Sequence, residues 1–178
     1  MKSRLVFFVI AAAAILSFSC GADENGNGDG NGNGNGVTES NVLTVDGTDY
    51  ALGTMFYEDS GTVADGSRIT IYLAAPGSTA EEVSCFHDHD YYVMLVMYFP
   101  GSDISSGTFV FSTESDSHTF SDWSLVNVGG QLGSYHYAEG GTVEVTVDGS
   151  NYTIQGDLSV DPGPTASFHF EGSAVEFD

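Results

Sequence analysis

From residue 41 to the end, apolar residues recur at every second position, and nowhere do they hold a three-and-four spacing long enough for a helix. A period of two lays one side of an extended chain against a core, so this segment folds as β-strands that share a hydrophobic face. The clearest stretch is GGTVEVTVDGSNYTIQGDLSV. Val143, Val145 and Val147 alternate with Glu144 and Thr146, Asp148-Gly149 turns the chain, and Tyr152, Ile154, Leu158 and Val160 return. Turn chemistry and one-sided patterning together make this a hairpin. The same reading gives strands over 42–45, 49–58, 67–74, 91–99, 107–112, 121–128, 134–138, 142–148, 151–160 and 166–177. Short connections between them predict an all-β domain, a mostly antiparallel sandwich or barrel of about 8–10 strands. TVDGTDYAL at 44–52 parallels TVDGSNYTI at 146–154. Repeated use of one good turn explains so short a match better than duplication does.

The N-terminus has a different grammar. Lys2 and Arg4 precede an apolar run from Leu5 to Leu16, and Ser17-Phe18-Ser19 leads to Cys20. This is the charge, core and small-residue order of a secretory signal, in a run too short for the roughly 20 residues of a membrane span. With a cysteine directly after the small residue, it resembles a bacterial lipoprotein signal. That resemblance implies cleavage after residue 19, a diacylglyceryl group on Cys20, and attachment to the membrane through the lipid. The pattern departs from the family's usual form in having Ser17 where a leucine is expected, and simple secretion is the alternative.

Residues 21–36, GADENGNGDGNGNGNG, hold nothing that could anchor a core, and Asn and Gly both favour turns. They read as a flexible tether, so residues 1–19 are the leader, 20–40 the lipidated cysteine and linker, and 41–178 the β domain. Asp23, Asn25, Asn27 and Gly28 begin like a calcium loop, but its last position is Gly34 instead of Glu. Asp23 and Glu24 so close behind Cys20 resemble the export signal of surface lipoproteins in Bacteroidota. The glycine, aromatic and turn spacing of the second half is similar to uncharacterised small β-rich domains of such lipoproteins. The resemblance implies an outer-membrane or cell-surface location and brings no catalytic residues.

Charge limits the partners. The formal charge of −22 falls to −24 when Lys2 and Arg4 leave with the leader, and Arg68 remains the single basic side chain facing 25 acids. Nucleic acid and anionic membrane surfaces need clustered Lys and Arg, so neither is expected to bind. Such a surface suits either a high-salt habitat or divalent cations. The scatter of the acids along the chain favours habitat.

The segment with most chemistry is CFHDHDYYVMLVMYFP, residues 85–100. In an extended chain His87 and His89 share a face and could hold one metal ion, while Cys85 lies too far from His89 to join them. His118, His136 and His169 are the candidates for completing that site. If Phe168 and Phe170, or Tyr135 and Tyr137, face the core, the histidine between them faces away. Cys85 reads as a small buried hydrophobe, since no cation nearby in sequence lowers its pKa. The strand beyond it is apolar on both sides, so it is either covered twice or has one face lining a groove. Tyr92, Tyr98 and Trp123 are the candidate ligand face, suited to an envelope glycan or a protein.

No catalytic constellation emerges. There is no G-x-S-x-G elbow, and SDSH at 115–118 is turn-like. The expectation is therefore a lipid-anchored binding or structural module and not an enzyme. A metal-binding protein or metal-dependent enzyme built on His87 and His89 is the alternative, with a divalent metal as its only cofactor.

Overall fold

The computed structural model describes residues 41–84, 91–129, 135–161, 163 and 165–177. Cys20, the tether, Cys85, His87 and His89 lie outside them. In chain order the elements are β1 (Val42–Val45), β2 (Thr48–Ala51), β3 (Thr54–Val63), β4 (Gly66–Ala74), α1 (Ala80–Ser84), β5 (Tyr91–Phe99), β6 (Gly107–Phe111), β7 (Thr119–Phe120), β8 (Leu125–Val128), β9 (Tyr135–Asp148), β10 (Asn151–Asp161) and β11 (Thr165–Glu176).

The all-β expectation holds, with most pairings antiparallel and two parallel, β3 with β11 and β6 with β7. Pairing runs β10-β9-β6-β7-β5-β4-β3-β11, and β10 also pairs with β11 over nine register positions, from Asn151↔Ser173 to Ser159↔Thr165. The hydrogen-bonded path therefore closes on itself as a barrel, which removes most exposed strand edges. β8 gives a second bridge between β5 and β9. The β1–β2 hairpin hangs on β11 beside the β3 pairing.

Local chemistry moved several predicted boundaries. The strand expected over 49–58 breaks at Leu52-Gly53, where Leu52 N–H donates to Asn41 O at 3.0 Å and Gly53 N–H donates to Ala74 O at 2.9 Å. The break expected between 138 and 142 is absent. Gly141 (φ 124°) lets the long strand β9 bend against β10, since a Cβ there would sit 2.1 Å from Asp157 O. The short helix α1 was not foreseen because five residues carry no periodicity. Its capping box was nonetheless legible in TAEE: Thr79 N–H donates to Glu82 Oε2 at 2.7 Å and Glu82 N–H to Thr79 Oγ1 at 3.3 Å.

The two TVDG phrases form different turns. In the first, Val45 pairs with Thr48 around Asp46 (φ 51°) and Gly47 (φ 73°), the two positive φ values of a type I′ turn. In the second, Asp148 pairs with Asn151, and of the central residues only Gly149 (φ 61°) is positive, as in type II′. Equivalent residues are thus one place out of register, as expected of a turn phrase used twice.

Apolar residues fill two regions. Leu43, Met55, Ile71, Leu95, Met97, Phe99, Phe109, Phe120, Ile154 and Phe170 pack the barrel interior with others of the same face. A second cluster lies on the outer face of β3, β4, β5 and β8, where Phe56, Tyr72, Tyr92, Met94 and Leu125 are covered by Val83 of α1, Tyr135 and Phe177. This explains why β5 is apolar on both sides. It is covered twice at its N-terminal end, while the outer face of its C-terminal half lies beyond α1.

Acids have few cations to meet, and the strand registers reflect this. Among the described residues, no acid stands directly opposite another. Asp49 faces Thr44, Glu144 faces Gln155 and Thr108, Asp157 faces Thr142 and Ser167, and Glu171 faces Thr153. Several of these neutral partners donate, as in Thr44 Oγ1 to Asp49 Oδ1 and Gln155 Nε2 to Glu144 Oε2, both at 2.7 Å. Hydroxyls and amides take the place that Lys and Arg fill in most proteins.

Candidate functional site

Beyond α1, the outward residues of β3, β4 and β5 form a groove of about 390 Å³ lined by Glu58, Ser60, Arg68, Thr70, Tyr72, Met94, Val96, Tyr98 and Trp123. Strand register explains the grouping: Glu58 faces Thr70, Thr70 faces Val96, Arg68 faces Tyr98 and Tyr72 faces Met94. Residues opposite one another on neighbouring strands share a face of the sheet.

A bulge in β3 shapes one wall. The register slips between Asp59 and Gly61, leaving Ser60 as the extra residue, and Gly61 takes the positive φ (114°) that the bend needs. The displaced Ser60 carbonyl accepts from Arg68 Nη2 at 2.7 Å, and Ser60 Oγ meets Thr70 Oγ1 at 2.7 Å. The only basic side chain of the β domain is thereby held at the groove. Beside it Tyr72 Oη donates to Glu58 Oε1 at 3.2 Å. Burial, then the Glu58 charge and this bond, push the Tyr72 pKa far above its usual range, so the phenol stays a donor.

Trp123 forms the other wall by a separate device. β7 pairs with β5 at Met97 and Tyr98, and β8 pairs with it from Tyr91 to Met94, which leaves the Val96 backbone between them. The turn Ser121-Asp122-Trp123-Ser124 closes that gap: Ser121 N–H donates to Val96 O at 2.9 Å, and Val96 N–H donates to Ser124 Oγ at 2.9 Å. Within the turn, Ser124 N–H bonds Ser121 O at 3.0 Å and Trp123 N–H bonds Ser121 Oγ at 3.2 Å. Ser124 is fully buried, yet the Trp123 side chain next to it is 69% exposed. An indole on a turn pinned at Ser121, Trp123 and Ser124, with its ring left to solvent, presents a fixed aromatic surface.

This turn also explains a missed boundary. A strand was expected over 121–128, but the serines bond the backbone locally and delay β8 to Leu125. Replacing Ser124 by alanine leaves the part-buried Val96 N–H without its acceptor. We expect a loss of about 1–3 kcal/mol in chemical denaturation. A loss below about 0.5 kcal/mol would mean that the bond does not hold the turn.

Of the three aromatics expected on one face, Tyr98 and Trp123 line the groove. Tyr92 does not share their access: at 1% exposure it lies in the outer cluster with Val83 of α1 and Tyr135. Sequence reasoning missed Glu58, Ser60, Arg68, Thr70 and Tyr72. The lone Arg68 was the available signal, since one cation in so acidic a chain must be placed somewhere.

The expected metal pair His87 and His89 falls outside the described residues. The histidines proposed to complete it stand apart: His118 precedes β7 with its ring 5.5 Å from Phe109, His136 faces Val126 on β9, and His169 faces Gln155 on β11. Among the described residues, no three His, Cys, Asp or Glu side chains converge as metal ligands. His169 does face away from the core, with Phe168 and Phe170 buried on either side. For His136 the condition is not met, since neither Tyr135 nor Tyr137 faces the core. His136 shares the inward face of the core residue Val126, while Tyr135 packs in the outer cluster.

Tyr72 and Tyr92 both have raised pKa values, chiefly through burial. A tyrosine that resists ionisation when folded adds stability below the unfolded pKa of about 10 and forfeits it as pH rises above that value. The unfolding temperature is therefore expected to fall steadily above about pH 10. A flat profile from about pH 9 to 11 would contradict this placement of the phenols.

Among the described residues the barrel interior is packed with apolar side chains, and the Trp123 groove lies on its outer face. The family described as Mycobacterium 19 kDa lipoprotein antigen matches residues 60–171, and the chain belongs to it. That span runs from the β3 bulge to β11 and includes Arg68, Tyr98 and Trp123. The protein is thus a bacterial lipoprotein of the cell envelope, consistent with membrane association through a lipid anchor. No curated protein and no solved structure matches the chain.

Proposed function

We propose that the chain is a non-enzymatic binding module, attached to the outer surface of the envelope through a lipid on Cys20 and held off it by residues 20–40. The observation that carries this reading is the exposed Trp123 side chain on a turn pinned by Ser121 and Ser124, beside the groove floor of Met94, Val96 and Tyr98. Two features support binding over catalysis. The barrel interior is filled with side chains, so ligands meet the outside. The polar groups of the groove are engaged with one another, Tyr72 with Glu58 and Arg68 with Ser60, which suits recognition more than proton transfer.

Trp123 is the only tryptophan in the sequence, so its emission reports on the groove alone. Purified envelope polysaccharide, peptidoglycan fragments and lipid vesicles are each titrated against the chain. The proposal expects at least one to shift the emission to the blue with saturation. No shift with any of the three would remove the groove as a binding site. The mass of the mature N-terminus tests the anchor: acylated Cys20 is expected, and an unmodified secreted chain would overturn it.

A further inference from the structure

Resting on that reading of the groove, we infer that its ligand is a neutral sugar, a hexopyranose unit of an uncharged glycan. A pyranose has a C–H face and a rim of hydroxyls, and the groove presents the complement of both. The exposed Trp123 indole stands beside a largely buried apolar floor of Met94, Val96 and Tyr98, and Glu58, Ser60 and Arg68, with the buried Thr70 beneath them, form a polar edge. Aromatic faces carry partial negative charge and attract polarised C–H groups.

The polar edge is also held in place. Arg68 commits Nη2 to Ser60 O, and Glu58 accepts from Tyr72. A guanidinium has five donors and a carboxylate about four acceptor sites, so both keep capacity for neighbouring hydroxyls. A volume of about 390 Å³ is at the small end of the roughly 300–1,000 Å³ typical of ligand sites, and fits a ring or two better than a folded partner.

Charge selects among sugars. With Arg68 alone against 25 acids, uronate, sulfated and phosphorylated glycans approach a repelling field, whereas uncharged hydroxyls do not. The groove lacks the all-apolar lining that an acyl chain would favour, because the remaining donors of Arg68 and acceptor sites of Glu58 would lose water with nothing to replace it.

The test titrates neutral α- and β-linked hexose oligosaccharides of graded length into the purified chain. Trp123 emission and calorimetry are read together. The inference predicts saturable binding that weakens about tenfold or more in Trp123→Ala by calorimetry and falls in Arg68→Gln. Unfolding midpoints of both variants should stay near that of the wild type, since both side chains are exposed. A uronate oligomer of equal length should bind more weakly. Undiminished sugar binding by Trp123→Ala would overturn the assignment. If a leucine-rich peptide shifts the emission and no oligosaccharide does, the sugar assignment falls and the groove stands as a binding site. If neither set shifts it, the sugar assignment falls, and the groove falls with it when envelope polysaccharide, peptidoglycan fragments and lipid vesicles leave the emission unchanged as well.

Discussion

Replacing Gly66 by alanine is expected to cost more than about 4 kcal/mol, a large share of the roughly 5–15 kcal/mol that holds a domain folded. Gly66 opens β4 opposite Val63 with φ 154°, a conformation that residues with a side chain avoid. Space is the larger obstacle. A Cβ at this position would sit 1.8 Å from Phe99 O and 2.9 Å from the Phe99 carbonyl carbon. Backbone cannot rotate aside as a side chain can, so β4 and the end of β5 would have to separate. Those strands carry Ile69, Ile71, Met97 and Phe99, all in the barrel core. Denaturation of Gly66→Ala by urea measures the effect, and a loss under about 1 kcal/mol would contradict the close approach. Gly47→Ala is the control, because its turn has open space around the missing Cβ and retains only the φ penalty.

Salt should have the second large effect. One arginine against 25 acids leaves a field that neutral donors opposite carboxylates relieve in part. Screening shortens the Debye length from about 10 Å at 0.1 M to about 3 Å at 1 M, less than most separations between surface charges. Removal of self-repulsion worth a few kcal/mol raises the unfolding temperature by roughly 10 °C in a domain of this size. Sodium chloride and sodium sulfate are compared at equal ionic strength to isolate screening from ion-specific hydration. An unfolding temperature unchanged across that range would show that the acids are spaced widely enough to ignore one another. A rise produced by millimolar calcium and not by sodium would favour cation binding over habitat as the reason for the acidity.

Strand positions were legible in the sequence where the period of two was unbroken. β1 and β5 fall on their predicted residues, and β10 and β11 are within a residue or two. The errors have a common source in short-range hydrogen bonding that hydropathy does not register. Ser121 and Ser124 made the first four residues of an expected strand a turn. Gly140-Gly141, read as a break, is a bend within one strand. Closure of the barrel depends on β3 running parallel to β11, a pairing between residues 55–57 and 174–176 that no local pattern encodes.

The candidate site was legible only in part, for the same reason. Tyr98 and Trp123 drew notice as aromatics. The polar edge comes from a bulge in β3 and from strand register, and both become visible only when strands are paired. Tyr92 misled because alternation gives the face of a residue and not what covers that face. The cover is α1, a helix of one turn held by Thr79 and Glu82. Cys20 was read from the order of the N-terminal residues alone, and the family of the β domain agrees with a lipoprotein.

The central claim, that ligand meets this domain at the Trp123 groove, is tested most directly by amide and indole NMR shifts of the isotope-labelled chain as envelope polysaccharide is added. The account predicts that the Trp123 indole moves most, with the Val96, Ser124, Arg68 and Thr70 amides moving alongside it. Shifts centred instead on the polar cleft of Thr142, Glu144, Gln155 and Asp157 on β9 and β10 would contradict it.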